Sequence, residues 1–185
     1  MALLLFPDNT VLINFAYLHR MDLLQKLARN PVWCGTVASE CARSSMEPDL
    51  EDLTLADGIF GEPLRPANPA EHLAVATYKT RLDKPGDGRY KNLGEAETLA
   101  LIDCRSLQAL FVTDDQGVAQ VVSQQGSAAP QVTVVTTWEL LRVAARSAFV
   151  DHDTLWSYVH VLRNKKRHQP PCRYEREAFE AWLGQ

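Results

Sequence analysis

Short apolar runs alternate along this chain with apolar stripes of helical period, and acidic residues fall where one gives way to the other. Leu3 to Phe6 is a continuous apolar run of the kind a strand buried on both faces requires, and Pro7-Asp8 ends it. Val11, Leu12, Phe15 and Leu18 then recur at helical spacing behind two N-cap candidates, Asn9 and Thr10, so strand passes to helix almost without a loop. Leu23, Leu24 and Leu27 continue the helical pattern. After the Asn30-Pro31 breaker, Val32 to Gly35 predicts a second short strand, and Thr36 or Ser39 opens a helix that carries Glu40.

The middle is less regular. From Glu47 to Asp57 acids interleave with leucines, and Pro63, Pro66 and Pro69 punctuate the chain before a helix from about Ala70 to Arg81. Pro85-Gly86-Asp87-Gly88 is strong turn chemistry and places an exposed loop over Asp83 to Asn92. Gly94 marks the entry to a helix with Ala96, Leu99, Ala100 and Leu107 on one face and Glu95 and Glu97 in its first turn, where the helix dipole favours acids. Ala109 to Thr113 is a third apolar run ending at Asp114 and Asp115, followed by a helix through Val118, Val121 and Val122. Val132 to Val135 gives a fourth strand, and Thr136-Thr137 caps a helix through Trp138, Leu141 and Ala145. This alternation predicts an α/β fold with a mainly parallel sheet between helices.

Composition changes after Asp151. Leu155, Tyr158, Val159 and Leu162 form one amphipathic stripe, Arg163, Lys165, Lys166, Arg167 and His168 a basic run, and Pro170-Pro171 a break. Arg173 to Leu183, with Phe179 and Trp182 three apart, predicts a last helix packed on the body. The chain therefore divides into a domain over residues 1–150 and a helical, basic C-terminal extension over 151–185. No internal repeat is present.

With 185 residues and 46% hydrophobic content, one domain with a full core is the prior. The apolar start is cut by Asp8 and Asn9 well short of the roughly 20 residues a membrane span needs, and it lacks a basic leader and cleavage site, so the sequence reads as cytoplasmic with no membrane partner. Cys34, Cys41, Cys104 and Cys172 are scattered without a CxxC pair, which predicts reduced, mostly buried thiols and neither a zinc site nor a disulfide framework. A net charge of -4 excludes a uniformly basic, nucleic-acid-coating protein but leaves room for a local basic groove.

Four acidic stations, Asp8, Glu40, the Glu95/Glu97 pair and the Asp114/Asp115 pair, sit at the edges of predicted elements. Carboxylates that only solubilise a surface have no reason to lie where an apolar run ends, whereas carboxylates that share a divalent cation must converge at one end of a sheet. An all-oxygen set of this kind suits Mg²⁺ or Mn²⁺ and the cleavage of phosphodiesters. A pair of aspartates also occurs in receiver domains, but there it follows the first strand, so the order here is wrong.

In the segments LLLFPDNTVLI around Asp8, VASEC around Glu40, NLGEAETLAL around Glu95 and Glu97, and FVTDDQGVAQVV around Asp114 and Asp115, the chain resembles PIN-domain ribonucleases, especially the toxin half of bacterial type II toxin-antitoxin pairs. The resemblance covers residues 1 to about 140. It implies a three-layer α/β/α sandwich, binding of Mg²⁺ or Mn²⁺ by the acids, and hydrolysis of single-stranded or structured RNA. It also implies a homodimer, and an antitoxin that inserts an Arg or Lys among the acids. Asp8 matches the first acid of the family and Glu40 the second. Glu97, 18 positions before Asp115, fits one form of the family motif, and Glu95 fits the form in which the first glutamate after glycine is functional. Side chains at Glu95 and Glu97 point about 200° apart on a helix, so only one can face the site fully; Glu95 is nearer the helix start. The catalytic set expected is Asp8, Glu40, Glu95 and Asp115, with Glu97 and Asp114 as further metal ligands and with Asn9 and Thr113 as hydrogen-bond partners of the carboxylates. A PIN-like RNA- or protein-binding scaffold without turnover is the alternative.

Arg81, Lys84, Arg89 and Lys91 flank the turn before Gly94 and are RNA-phosphate candidates; a solvated loop is the plainer reading. Lys165, Lys166 and Arg167 are candidates for RNA or an acidic antitoxin segment, or simply a helix-end charge cluster. Trp156, Tyr158 and Tyr174 read as core or dimer packing before base-stacking platforms. The stretch from about Glu47 to Gly94 is long for a compact toxin, and the tail after Asp151 lies outside the usual core.

Overall fold

A computed structural model describes residues 2–124, 131–167, 170, 172 and 175–184. His168 and Tyr174 therefore lie outside the described residues, as do Pro171 and the first residue of the last predicted helix, Arg173. Three parallel strands, β1 (Leu4–Pro7), β2 (Ala109–Val112) and β3 (Val132–Val135), form a sheet in the order β1-β2-β3. Their register aligns Leu4, Ala109 and Val132 in one row and Phe6, Phe111 and Val134 in another two residues on. Both rows face a core shared with Tyr78, Leu82, Leu99 and Val118. The alternate positions, Leu5, Leu110, Val112 and Val135, face a second core with Leu12, Phe15, Trp138 and Leu141. Strand alternation thus puts apolar side chains on both sides, and helices cover both.

Ten α-helices surround this sheet among the described residues. α1 (Asn9–Tyr17), α2 (Met21–Leu27) and α3 (Gly35–Ser44) follow β1. The predicted strand over Val32 to Gly35 is not formed. Pro31 has no N–H to donate, and the helix of Glu40 already begins at Gly35, so only single bridges remain, from Pro31 to Leu5 and from Cys34 to Leu64. The sheet has three strands among the described residues, not four. A 3₁₀ turn (Glu51–Leu55) and α4 (Ala56–Phe60) occupy the leucine-acid stretch; α5 (Pro69–Leu82) starts on the Asn68 cap, whose side chain accepts from Glu71 N. α6 (Leu93–Cys104) packs along α5.

α7 (Gln116–Gln124) follows β2, and α8 (Thr137–Arg146) opens on a reciprocal capping box between Thr136 and Glu139. α9 (His152–Asn164) and α10 (Arg176–Gly184) form the C-terminal extension. Their Leu155, Val159, Leu162, Phe179 and Leu183 belong to the same core as α1, α2 and α8. Trp156 packs tilted against Phe179 with ring centres 5.1 Å apart and is partly buried, and Tyr158 is buried, so both take part in packing. Of the four cysteines Cys34 and Cys41 are buried, but Cys104 is exposed and Cys172 intermediate, so burial of the thiols is less general than their composition suggested. No helix among the described residues is long and apolar enough to cross a membrane.

Candidate acidic site at the strand ends

Asp8 leaves the carboxyl end of β1, where its own N–H donates to Val112 O. It is 3% exposed and serves as the N-cap of α1, accepting from Asn9 N at 2.7 Å, from Thr10 N at 3.2 Å and from the Thr10 hydroxyl. Asn9 and Thr10 are thus the first helical residues, not the caps; the Asp8 carboxylate, with an oxygen for each, accepts from both N–H groups. Burial nevertheless outweighs these donors and holds the Asp8 carboxyl above its usual range, with the nearby Asp114 charge adding to the effect. Asn9 donates to Ser44 Oγ through its amide, while its buried Oδ1 has no hydrogen-bond partner among the described residues.

Glu40 lies on α3 and Glu95 in the first turn of α6. Burial, then repulsion from Asp8, pushes Glu40 up to about 7, Arg43 on the next turn pulling the other way. The same two causes in the same order push Glu95 up to about 8, with Glu40 and Asp115 contributing further repulsion. α3 and α6 can approach because Gly94 has no side chain: a Cβ there would sit 3.0 Å from Val37 Cγ2 and 3.2 Å from Glu40 Oε2. No ion pair with Lys or Arg engages Asp8, Glu40, Glu95 or Asp115 among the described residues.

The second member of each doubled station does something else. Glu97 is buried and accepts from Gly35 N at 3.1 Å, Thr36 N at 3.2 Å and the Thr36 hydroxyl. It supplies from α6 the cap that Cys34, with no side-chain cap bond, does not give α3. Asp114 accepts from Thr137 N, Thr137 Oγ1 and Asn14 Nδ2, each at 2.8 Å, and so pins the end of β2 to α8 and α1. Asp115 is exposed, accepts from Gly117 N at 2.6 Å, and is positioned by its own N–H donating to Thr113 Oγ1. Asn9 thus bonds the Asp8 carboxylate through its backbone N–H, whereas Thr113 orients the loop by accepting from the Asp115 backbone N–H rather than by bonding its carboxylate.

The structure therefore brings Asp8, Glu40 and Glu95 within electrostatic reach of one another, with Asp115 reaching Glu95, while Glu97 and Asp114 make structural bonds and still act by charge on Glu40 and Asp8. It stops short of a closed chelate: among the described residues no group of three or more Asp, Glu, His or Cys side chains is placed to hold a metal ion.

The basic candidates are dispersed. Lys91 pairs with Asp87 at 2.6 Å, Lys165 with Asp49 at 2.8 Å, and Arg81 lies over the Tyr78 ring at 5.7 Å. Lys84 donates its backbone N–H to Asp87, and Lys166 takes a left-handed conformation just past α9. Arg167 reaches the acidic end of the sheet, donating to Asn14 Oδ1 at 2.7 Å and Thr10 O at 3.1 Å. With Thr10, Asp114, Asp115 and Gln116 it lines an open hollow of about 390 Å³. Arg89 lines a separate groove with Arg43 and Arg65, two residues absent from the sequence-derived candidates. Arg43 carried a usable signal, since it stands three positions after Glu40 on one helix; Arg65 carried none. Compared with known proteins, the chain matches no family model, no curated protein and no solved structure.

Proposed function

We propose that this protein is a Mg²⁺- or Mn²⁺-dependent endoribonuclease of PIN-like architecture, with Asp8, Glu40, Glu95 and Asp115 holding the metal. The single observation that carries this reading is the gathering of Glu40 and Glu95, from two helices, around Asp8 at the end of β1, where burial first and the Asp8 charge second raise both glutamates and Arg43 opposes this at Glu40 alone. A protein has little reason to accumulate buried like charges unless a ligand relieves them. The donor set fits a hard divalent cation, being all oxygen, with the unpartnered Asn9 Oδ1 beside Asp8 as a further oxygen. A sheet with helices on both faces and acids at the carboxyl ends of β1 and β2 suits the sandwich expected from the sequence.

Bound there, such an ion supplies Lewis acidity for hydrolysis of a phosphodiester. The chain's own part is positional. Asp8 is fixed by three donors at the α1 start, Asp115 by Gly117 N and Thr113, and Gly94 lets Glu40 and Glu95 come from different helices to the same place. Asp114 and Glu97 keep the framework rigid.

The scaffold reading keeps one observation in its favour, the lack of a closed three-residue chelate among the described residues. A cleavage assay separates the two. Purified protein with Mn²⁺ should cut total RNA or defined tRNAs into discrete products that vanish with EDTA and with Asp8→Asn. Folded protein that yields no product in Mn²⁺ from any RNA, and shows no Mn²⁺-induced rise in melting temperature, would establish the scaffold.

A further inference from the structure

The long stretch between α3 and α6 builds a feature of its own, an open groove of about 780 Å³ between the start of α3, α5 and the loop before α6. Arg43, Arg65, Lys79 and Arg89 line it, and among the described residues Glu97 is its only acidic one. That carboxylate is turned to Gly35 N and Thr36 N, so it does not answer the arginines. Lys79 is paired with Asp83 at 2.6 Å. Arg43, Arg65 and Arg89 form no ion pair among the described residues, on a chain with 23 acids against 19 Lys and Arg. Elsewhere Arg20, Arg105, Lys91 and Lys165 find carboxylates, and Arg29 and Arg146 are also in no ion pair among the described residues, so what sets the groove apart is that three such arginines share one lining. Three exposed arginines left together on an acidic protein point to an anionic ligand with repeated charges.

The groove also offers an aromatic face. Tyr90 is 67% exposed and forms part of the wall, with the Arg89 guanidinium 5.7 Å from its ring centre. Its loop is held in shape by Asp87, which accepts from Lys84 N and Lys91 Nζ, and by Asn92, which donates to Asp83. A large aromatic ring kept exposed on a braced loop serves no packing purpose. Arg65 lies across the start of α3 because residue 35 is glycine: a Cβ there would come 2.5 Å from Arg65 Nη1.

Continuity with the acidic site comes from helix geometry. Thr36, Ser39 and Arg43 line the groove, and Glu40 falls in the same stripe of α3 at the i, i+3, i+4, i+7 spacing.

We infer that this groove is the track for single-stranded RNA leading to the acidic site, with Arg43, Arg65 and Arg89 holding successive phosphates and Tyr90 stacking a base. The inference rests on the nuclease reading for its choice of RNA. Guanidinium forks suit phosphate oxygens, and the stacking face accounts for Tyr90, which an acidic peptide would leave without a role.

Fluorescence anisotropy with a labelled single-stranded oligoribonucleotide tests it, in EDTA so that no cleavage occurs. Three phosphate contacts give a slope of log K against log salt of about -2, or a loss of about 20-fold in affinity between 50 and 200 mM salt. Arg65→Ala or Arg89→Ala should each reduce that slope by about 0.7. Tyr90→Ala should weaken binding by about 5- to 150-fold with the slope unchanged. Lys26→Ala, on α2 outside the groove, should bind as wild type. These are exposed side chains, so melting temperatures should match and separate a binding loss from unfolding.

Equal affinity in the groove variants and wild type overturns the proposal, as does a wild type that binds no RNA. An oligoglutamate that binds as tightly as RNA, with Tyr90→Ala neutral, overturns it in favour of an acidic protein partner. Groove-dependent RNA binding without cleavage in Mn²⁺ leaves the track standing and removes the nuclease. Cleavage at unchanged KM by the Arg43/Arg65/Arg89 triple alanine variant does the reverse.

Discussion

The starts of α3 and α8, and the space between β1, α3 and α6, all hold carboxylates out of water, yet the two settings treat them in opposite ways. Glu97 and Asp114 meet backbone N–H groups at helix starts, where the dipole and the unpaired donors welcome a negative charge. Asp8, Glu40 and Glu95 meet one another, and burial and repulsion hold all three above the usual carboxylate range. Glu95 and Glu97 are two residues apart on one helix. Sequence distance therefore says little about what a carboxylate does; the group facing it decides. The satisfied acids contribute stability, and the unsatisfied ones give up stability for a site.

The largest expected effect breaks the comparison at α6. Glu95→Gln should reduce RNA cleavage by more than the roughly 100-fold that loss of an outer-shell metal partner costs, while the melting temperature holds or rises. Glu97→Gln should do the opposite, retaining cleavage per folded molecule while lowering the melting temperature, because an amide accepts less strongly from Gly35 N and Thr36 N. Single-turnover cleavage beside thermal unfolding of both variants checks this. If the two glutamines exchanged phenotypes, Glu97 would be the working acid.

A second test concerns stability alone. Asp114→Ala removes three hydrogen bonds that join β2, α1 and α8 and should cost about 3 kcal/mol, seen as a lower urea midpoint at unchanged slope. Asp115→Ala removes one bond on an exposed loop and should shift the midpoint by less than about 1 kcal/mol. Equal shifts would mean that the pair shares one structural role.

Much of this arrangement was legible in the chain. Asp8 and the Asp114/Asp115 pair end apolar runs that have nowhere to go but a buried strand, and the structure sets them at the ends of β1 and β2. The choice between Glu95 and Glu97 was not legible, for a definite reason. From Ala96 to Ile102 every residue of α6 is buried, so no polar face marks its rotational phase. Val32 to Gly35 misled because a short apolar run looks alike whether it pairs or only passes the sheet edge. The groove was invisible because Arg43, Arg65 and Arg89 come from α3, the segment before α5 and the loop before α6 and meet only in the folded chain, and the neighbouring Lys91 is spent on the loop's own Asp87.

The smallest effect sharpens the comparison through pH. In the metal-free protein Glu40 keeps its proton up to about 7 and Glu95 up to about 8, whereas both lose it near 4.5 once unfolded. The folded chain binds more protons between those limits, so the contribution of these groups to stability is full below about pH 4.5 and is lost as pH rises through 7 to 8. The melting temperature of wild type in EDTA should therefore fall across that window, and Glu40→Gln/Glu95→Gln should flatten the decline. Saturating Mn²⁺ should reverse the trend, because a cation favours the ionised carboxyls. At pH 6.5 its binding should release about one to two protons, read by calorimetry in buffers of different ionisation enthalpy. A metal that bound without releasing protons would sit elsewhere than among Asp8, Glu40 and Glu95.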